Sequence, residues 1–539
     1  MIKSISIITP LGKNAIAFDK EQKQKIVLDI AQLNIKEYNS FDIEITFTVP
    51  ISEFRNHDYT WVKFNVDRVA NTFSPKILKL QNNMLVQANI NSGIWEINKK
   101  DKKVLLWRFN PELSSPITHY SGDSNKRIIS NARNNWFFDE MPSLLFTQKN
   151  ALEYSRSKIA FSPVVCFTDH CDFDTAENLP LQRNFFKENN VKTTKGFFLN
   201  HFSKRQDNAS FQNEFEELTK WKEDGHELCY HSLSQSIKSP KESQDDFTNF
   251  IPPFSDIPTW IDHGYQPYNF SLFENNNIKD SDFENILIDK KINILWNYID
   301  SGTATAGVIN QFNSQHFTLS SFLRGNKDLP LVKKMQLMIK NIIFHYYNDE
   351  ELILKYKSTA DNFKKIVFQK KLKYLLSFVS DFLKLSYAFF SVFTFWNTTK
   401  NKPYKLAKYN PILFKHRIYE KDFFVFQTLE MLDFKKALSQ ENINLLMKES
   451  GVFIAHTYFS VPMEYHRGKL FSTASTIDKT VSENFKLLGN KIQNKEIWNP
   501  TLRELIEYWT RFEKVLLDID LEGNIFEKNN SDLQIRKVI

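Results

Sequence analysis

Cysteine is nearly missing from this chain: among its 539 residues only Cys166, Cys171 and Cys229 occur. That excludes a disulfide framework and fits a reducing compartment. Glycine is scarce too, at 13. No Gly-rich phosphate loop and no G-x-S-x-G elbow is found, which disfavours nucleotide use and a serine nucleophile. The opening MIKSISIITPLGKN has neither the apolar core nor the small-residue cleavage site of a secretory signal, so a cytoplasmic protein is expected. Long Lys/Arg blocks are also lacking, and a net charge of +7 is modest for this length, so no nucleic-acid partner is expected.

What is present is an ordinary globular composition, 42% hydrophobic and 25% charged, with enough apolar material for a sizeable core. Residues 1–150 read as a β-rich domain. Ile43, Ile45, Phe47 and Val49 alternate with polar neighbours, and Gly93–Ile97 with Val104–Phe109 flank the polar turn NKKDKK as a hairpin would. Glu21 to Ile35 reads as a helix. From 151 to 320 strands and helices alternate, and 441–515 resumes that alternation, which argues for a parallel α/β sheet or barrel. Residues 321–440 read as a mostly helical insertion, and 516–539 as a β tail closed by a hairpin at Glu522–Gly523–Asn524. Within the insertion, 368–396 is strongly apolar with a narrow polar stripe of Lys373, Ser377, Asp381, Lys384 and Ser391. Three readings compete for it: a buried core helix, an oligomer or partner interface, and an in-plane membrane helix.

The chemistry concentrates at PVVCFTDHCDFD, Pro163 to Asp174. A β-branched and aromatic run ends there in Asp169, His170, Asp172 and Asp174, a crowding that repulsion and desolvation oppose unless a metal or a catalytic task holds it. The bland alternative is a solvated acidic loop. GHELCYHS, Gly225 to Ser232, adds His226 and His231 around another strand, and Val452 to Ala455 ends at His456. Together these favour an Asp/His metal site over isolated structural histidines. Nitrogen and oxygen ligands suit one divalent ion, Zn²⁺ or a first-row neighbour. The cysteines beside these stretches read as small buried packing residues first, with Cys171 as a ligand second.

CFTDHCDFD, TTKGFFLN, EFEELTKWKEDGHELCYHS, the strand ending in His456, and IWNPTLRELIEYW follow one another in an order that resembles the polysaccharide deacetylases of the carbohydrate esterase type. The resemblance covers about 160–320 and 445–515. It implies a distorted (β/α) barrel, one divalent metal, and removal of an acetyl group from an N-acetylated sugar or surface-polysaccharide precursor. The sequence also departs from that family. The paired Asp-Asp is here Asp169-His170-Cys171-Asp172, leaving base and ligand open among these residues. The family's second histidine is Gln235, and Gln266-Pro267-Tyr268 stands where an Arg-Pro-Pro-Tyr segment is expected.

On this reading Asp172, His231 and His263 bind the metal with His170 as a fourth candidate. Asp169 is the general base and His456 the general acid, and Trp260, Tyr265 and Tyr268 stack on sugar faces. Membrane-surface contact through 368–396 and oligomerisation stay open. The rival reading is a barrel that binds a glycan or a partner protein without turnover.

Overall fold

The computed structural model describes every residue except 20, 22–23, 31–38, 123–125, 134–137, 236, 262–277, 298–308 and 465. The N-terminal part is built from two six-stranded antiparallel sheets. Ile43, Ile45 and Phe47 of the strand Phe41–Phe47 point into the shared core, where they meet Trp95, Trp107, Leu80 and Phe146. Ile94–Ile97 and Val104–Phe109 pair antiparallel across the polar turn. The helix expected over Glu21 to Ile35 is corrected in part: Lys25–Val27 is a strand, added to the edge of the second sheet through Ser143–Thr147. Lys25, Ile26 and Val27 place a β-branched pair beside that edge, and pairing there outweighs a helical pattern that buries little.

No loose linker joins this module to the rest. Ala151–Tyr154 pairs with Ile535–Val538 from the chain's end. Arg55 clamps the buried Glu153 through two bonds of 2.8 Å, and Arg536 reaches the same carboxylate. Arg156, buried beyond, donates to the carbonyls of Phe73 and Ser450 at 3.2 and 3.1 Å. A charge so deeply buried is tolerated because backbone acceptors and the rings of Tyr59 and Phe312 surround it.

The rest of the chain is organised around a nine-stranded sheet. In chain order they are β1 (Val164–Asp169), β2 (Thr194–Phe197), β3 (Glu227–His231), β4 (Thr259–Ile261) and β5 (Ile294–Trp296), then β6 (Leu413–Ile418), β7 (Lys421–Phe426), β8 (Leu429–Glu430) and β9 (Val452–Thr457). Their spatial order is β6-β7-β5-β4-β3-β2-β1-β9-β8. Only the β6–β7 pair is antiparallel. β7 and β8 are separated by Gln427 and Thr428 alone, yet β7 pairs with β5 and β8 with β9. One short segment therefore touches both ends of the parallel series, so the sheet must curl.

Both faces are covered, as parallel sheets require, and strand alternation sorts the residues. Val165, Phe167, Tyr230, Trp260, Phe453 and Ala455 face an outer layer of helices. Cys166, Cys229, Ile261, Ile294, Trp296 and Ile454 face the concave side, where the helix Leu502–Trp509 seals the N-terminal strand ends. That helix starts with a reciprocal Thr501/Glu504 cap, and the amide of Leu502 donates to Thr194 Oγ1 at 2.8 Å. The C-terminal strand ends lie opposite.

The helical insertion is shorter than 321–440. Helices run from Leu319 to Thr399, but 413–430 supplies β6, β7 and β8. Phe423, Val425 and Phe426 are buried there, and that burial draws the segment into the sheet. The core-helix reading of 368–396 is also corrected. Of the apolar window within Leu372–Thr394 only 17% is buried.

Candidate metal centre

β1 and β9 end in a mutual lock. Thr168 Oγ1 donates to the Ala455 carbonyl at 2.6 Å, Thr457 Oγ1 to the Thr168 carbonyl at 2.7 Å, and the His170 amide to the Thr457 carbonyl at 2.9 Å. The chain continuing from β1 thus carries His170 and Asp172 over the concave side, where β3 ends in His231. Gly196 on β2 makes this approach feasible. A Cβ there would run into the Asp169 carbonyl and stand 3.2 Å from His231 Cβ.

Three residues converge as a result. One ligand atom each from His170, Asp172 and His231 lie within 4.8 Å of one another. His231 Nε2 is 2.7 Å from His170 Nδ1 and 3.5 Å from Asp172 Oδ2. Ligands at ~2.0–2.2 Å from a tetrahedral centre stand about 3.3–3.6 Å apart. The Asp172–His231 spacing meets that, and the two imidazoles need to part by about 0.6–0.9 Å. The donor set fits a first-row divalent ion.

Around it sits an aromatic wall. The His456 ring stacks on His170 at 3.7 Å with an 11° tilt. Trp296 meets both rings edge-on at 4.6 and 4.9 Å, and Tyr458 lies 5.1 Å from each. Trp296 is fixed by its indole N–H, which donates to Thr428 Oγ1 at 3.0 Å. The wall keeps bulk solvent from the histidines and strengthens electrostatic interactions among them.

Asp169 is not part of this group, which corrects its expected place as the general base. It shares the outward face of β1 with Val165 and Phe167, and its carboxylate is ion-paired with Lys195, as is that of Asp174. Lys195 Nζ lies over the Trp221 ring in the helix-side layer. Asp174 is further held by Gln182 at 2.9 Å and Ser460 at 2.7 Å. Burial pushes the Asp169 carboxyl up to about 7 even with the ammonium beside it. Burial pulls Lys195 down, but the Asp169 and Asp174 carboxylates outweigh it and hold the ammonium above its ordinary value. This buried ion triad pins β1, β2 and the loop after β1 from behind.

No family model matches the chain. No curated protein matches it either. Among solved structures, a xylosidase from Aspergillus niger aligns with 56% of this chain at 10% identity and a TM-score of 0.19. The alignment spans only 42% of that xylosidase's own length. A superposition so loose carries no argument about fold or activity.

Of the residues singled out in the sequence, His170, Asp172, His231 and His456 come together. Trp260 does not belong with them: it is 2% exposed on the helix-facing side of β4, stacked on Phe247 at 4.9 Å, a core residue with no face for a sugar. His263, Tyr265 and Tyr268 lie outside the described residues. Gln235 is committed to backbone, accepting from the Phe202 amide and donating to the Ala209 carbonyl. His226 is structural: its Nδ1 meets Thr193 Oγ1 at 3.0 Å, and burial pushes it down to about 4. Burial pushes the Cys171 thiol well above its ordinary value, which disfavours the thiolate a metal needs. Sequence reasoning missed Lys195 and Trp296. Lys195 had a signal, a lone cation inside the strand-like run TTKGFF, where only a buried partner makes it tolerable.

Proposed function

We propose that the chain is a metal-dependent hydrolase of the polysaccharide deacetylase kind, removing an acetyl group from an N-acetylated sugar or surface-polysaccharide precursor. Its curled sheet would be the distorted (β/α) barrel of that reading, with the N-terminal β module as a support. What carries the proposal is the convergence of His170, Asp172 and His231 at the C-terminal ends of parallel strands, the place where such sheets keep their chemistry.

His170, Asp172 and His231 would hold one divalent ion, Zn²⁺ first. Such an ion polarises an acyl carbonyl and acidifies water. Asp169, committed to Lys195, acts here as a positioning residue that fixes the strand end bearing His170. That leaves His456, stacked on His170, as the group among the described residues best placed to move protons. Its imidazole takes the proton of the attacking water and returns it to the departing amine as the C–N bond breaks. Trp296 and Tyr458 orient that ring and exclude bulk water. The stacking contact on His170 holds the His456 plane fixed, so its ring nitrogens point in set directions.

The rival reading, a binding barrel without turnover, draws on the direct 2.7 Å approach of His231 to His170, a hydrogen bond that needs no ion. Elemental analysis of the purified protein, paired with an acetate-release assay on N-acetylated oligosaccharides, separates the two. The deacetylase reading expects close to one equivalent of zinc or a neighbouring metal, acetate release, and loss of both in His231→Ala. A protein that takes up no divalent metal would be the binding barrel instead.

A further inference from the structure

The helical insertion carries a surface that the proposed site does not use. Its helices Glu350–Val367 and Leu375–Thr394 form an antiparallel hairpin, with the two arms joined through 368–374 and its short turn Leu372–Tyr374. The base is packed: Ile343, Ile353 and Leu385 form a small buried cluster, and Tyr347 donates to the Ala388 carbonyl at 2.8 Å. It is tied to the body by Arg127, which donates to Asn348 at 2.7 Å and pairs with Glu350. Toward the tip the arms touch through Phe363 and Phe378, and through Ser358 and Asp381 at 3.0 Å.

The remaining circumference is apolar and bare. Phe368, Leu372, Leu376, Tyr387 and Phe390 are each more than two-thirds exposed, and Phe382 and Leu383 are about half exposed or more. Exposed apolar patches of this kind mark interaction surfaces. The charge around the patch selects its occupant. Between Asn362 and Ser380 lie Lys364, Lys365, Lys370, Lys371 and Lys373 and no carboxylate, whereas the whole chain carries only +7. Large apolar side chains edged by lysines on one tip match the boundary between acyl chains and anionic headgroups. Length alone would let the second arm span a bilayer, since 20 residues reach about 30 Å. Asp381 and Lys384 at mid-helix, and a face already covered by the first arm, oppose that geometry.

We propose that the exposed face of this hairpin, from its tip along the second arm, docks in the plane of an anionic lipid surface, inserting Phe368, Leu372, Leu376, Phe382 and Phe390 while the lysines at the tip engage headgroup phosphates. The docking does not depend on the metal site. The test is co-sedimentation of the full chain with vesicles of phosphatidylglycerol and phosphatidylcholine, against vesicles of phosphatidylcholine alone. Binding to the anionic vesicles is expected, weakening as salt is raised. Each of Lys370→Gln, Lys371→Gln and Lys373→Gln should lower partitioning about fivefold. The combined variant Leu376→Ser/Phe382→Ser/Phe390→Ser should abolish it while keeping the parent's circular dichroism spectrum and melting temperature. Equal binding to both vesicle types, no binding to either, or undiminished binding of the triple variant would each overturn the proposal. Concentration-dependent self-association in sedimentation velocity, lost in the triple variant and unaccompanied by vesicle binding, would assign the face to a second copy of the chain.

Discussion

The strand ends of the curled sheet and the tip of the helical hairpin depart from the inside–outside rule in opposite directions. At the strand ends His170, His231 and His456 are buried together, with Asp169, Lys195 and Asp174 buried behind them. On the hairpin, Leu376, Tyr387 and Phe390 stand in solvent. Burying polar groups costs stability unless each finds a partner, and exposing apolar ones wastes a driving force. The two departures are maintained differently. The buried cluster is cross-linked by ion pairs and short hydrogen bonds, so its cost is offset inside the fold. The exposed apolar side chains of the hairpin have no such cover among the described residues, which is why the proposed lipid contact is placed there. Buried polarity is kept here only where partners inside the fold offset its cost, and exposed apolarity is what the proposed lipid contact would cover.

The comparison breaks most sharply at the candidate metal centre. His231→Ala removes a fully buried donor, and on the proposed deacetylase reading metal content should be lost and acetate release should fall at least about a thousandfold. Metal content of the hairpin triple variant, measured alongside, should match the parent. Lys195→Met should have one of the largest effects on folding. It leaves the Asp169 and Asp174 carboxylates buried without a cation, which costs roughly 3–5 kcal/mol, measurable by denaturant titration. If Lys195→Met melts like the parent, the triad does not pin the strand ends. Adding Asp169→Asn to it should recover part of the loss.

Much of this was legible beforehand. Period-2 alternation in Phe41–Phe47 and the strand–helix texture after 151 reflect local burial, and burial is written in hydrophobic order. The crowded end of β1 and GHELCYHS pointed to the candidate centre because charge and imidazole at strand ends need a reason. The face of a particular residue was harder. Asp169 and His170 are adjacent, and only the strand pairing shows that one turns to the helices and the other to the concave side. The β7–β8 segment was hidden because, beyond the local β6–β7 hairpin, its pairings with β5 and β9 are long-range, and the apolar run 368–396 left three readings open because composition does not report what covers a helix.

A pH dependence sharpens the contrast at a middle scale. Burial lowers the His226 pKa from its ordinary 6.5 to about 4, so the unfolded chain binds this proton more readily than the folded one. Its contribution is therefore fully present above about pH 6.5 and is lost as pH falls toward 4. A shift of this size is on the order of 3 kcal/mol. His226→Asn, which keeps an acceptor for Thr193, should flatten the decline between pH 6.5 and 4 in urea titrations. An unchanged slope would assign the acid sensitivity to other buried histidines such as His57, His416 or His466, each also lowered to about 4 by burial. Vesicle binding through the hairpin should not follow this titration.

The smallest effect is expected where the composition is most apolar. Leu376 is 84% exposed and Tyr387 81%, so each side chain gives up little contact when the protein unfolds. Leu376→Ser or Tyr387→Ser should change stability by less than about 0.5 kcal/mol. The same chemistry at Phe167, fully buried against Phe453, Phe459 and Phe485, should cost roughly 3–5 kcal/mol through the cavity it leaves. Paired denaturant melts of Leu376→Ser and Phe167→Ala decide the point. A large loss in Leu376→Ser without lipid would mean that the hairpin face is already covered in solution, and sedimentation of the parent would then show a second copy on it. A negligible loss means that this leucine contributes nothing to the folded monomer, which is the condition for its apolar surface to be kept for an external partner.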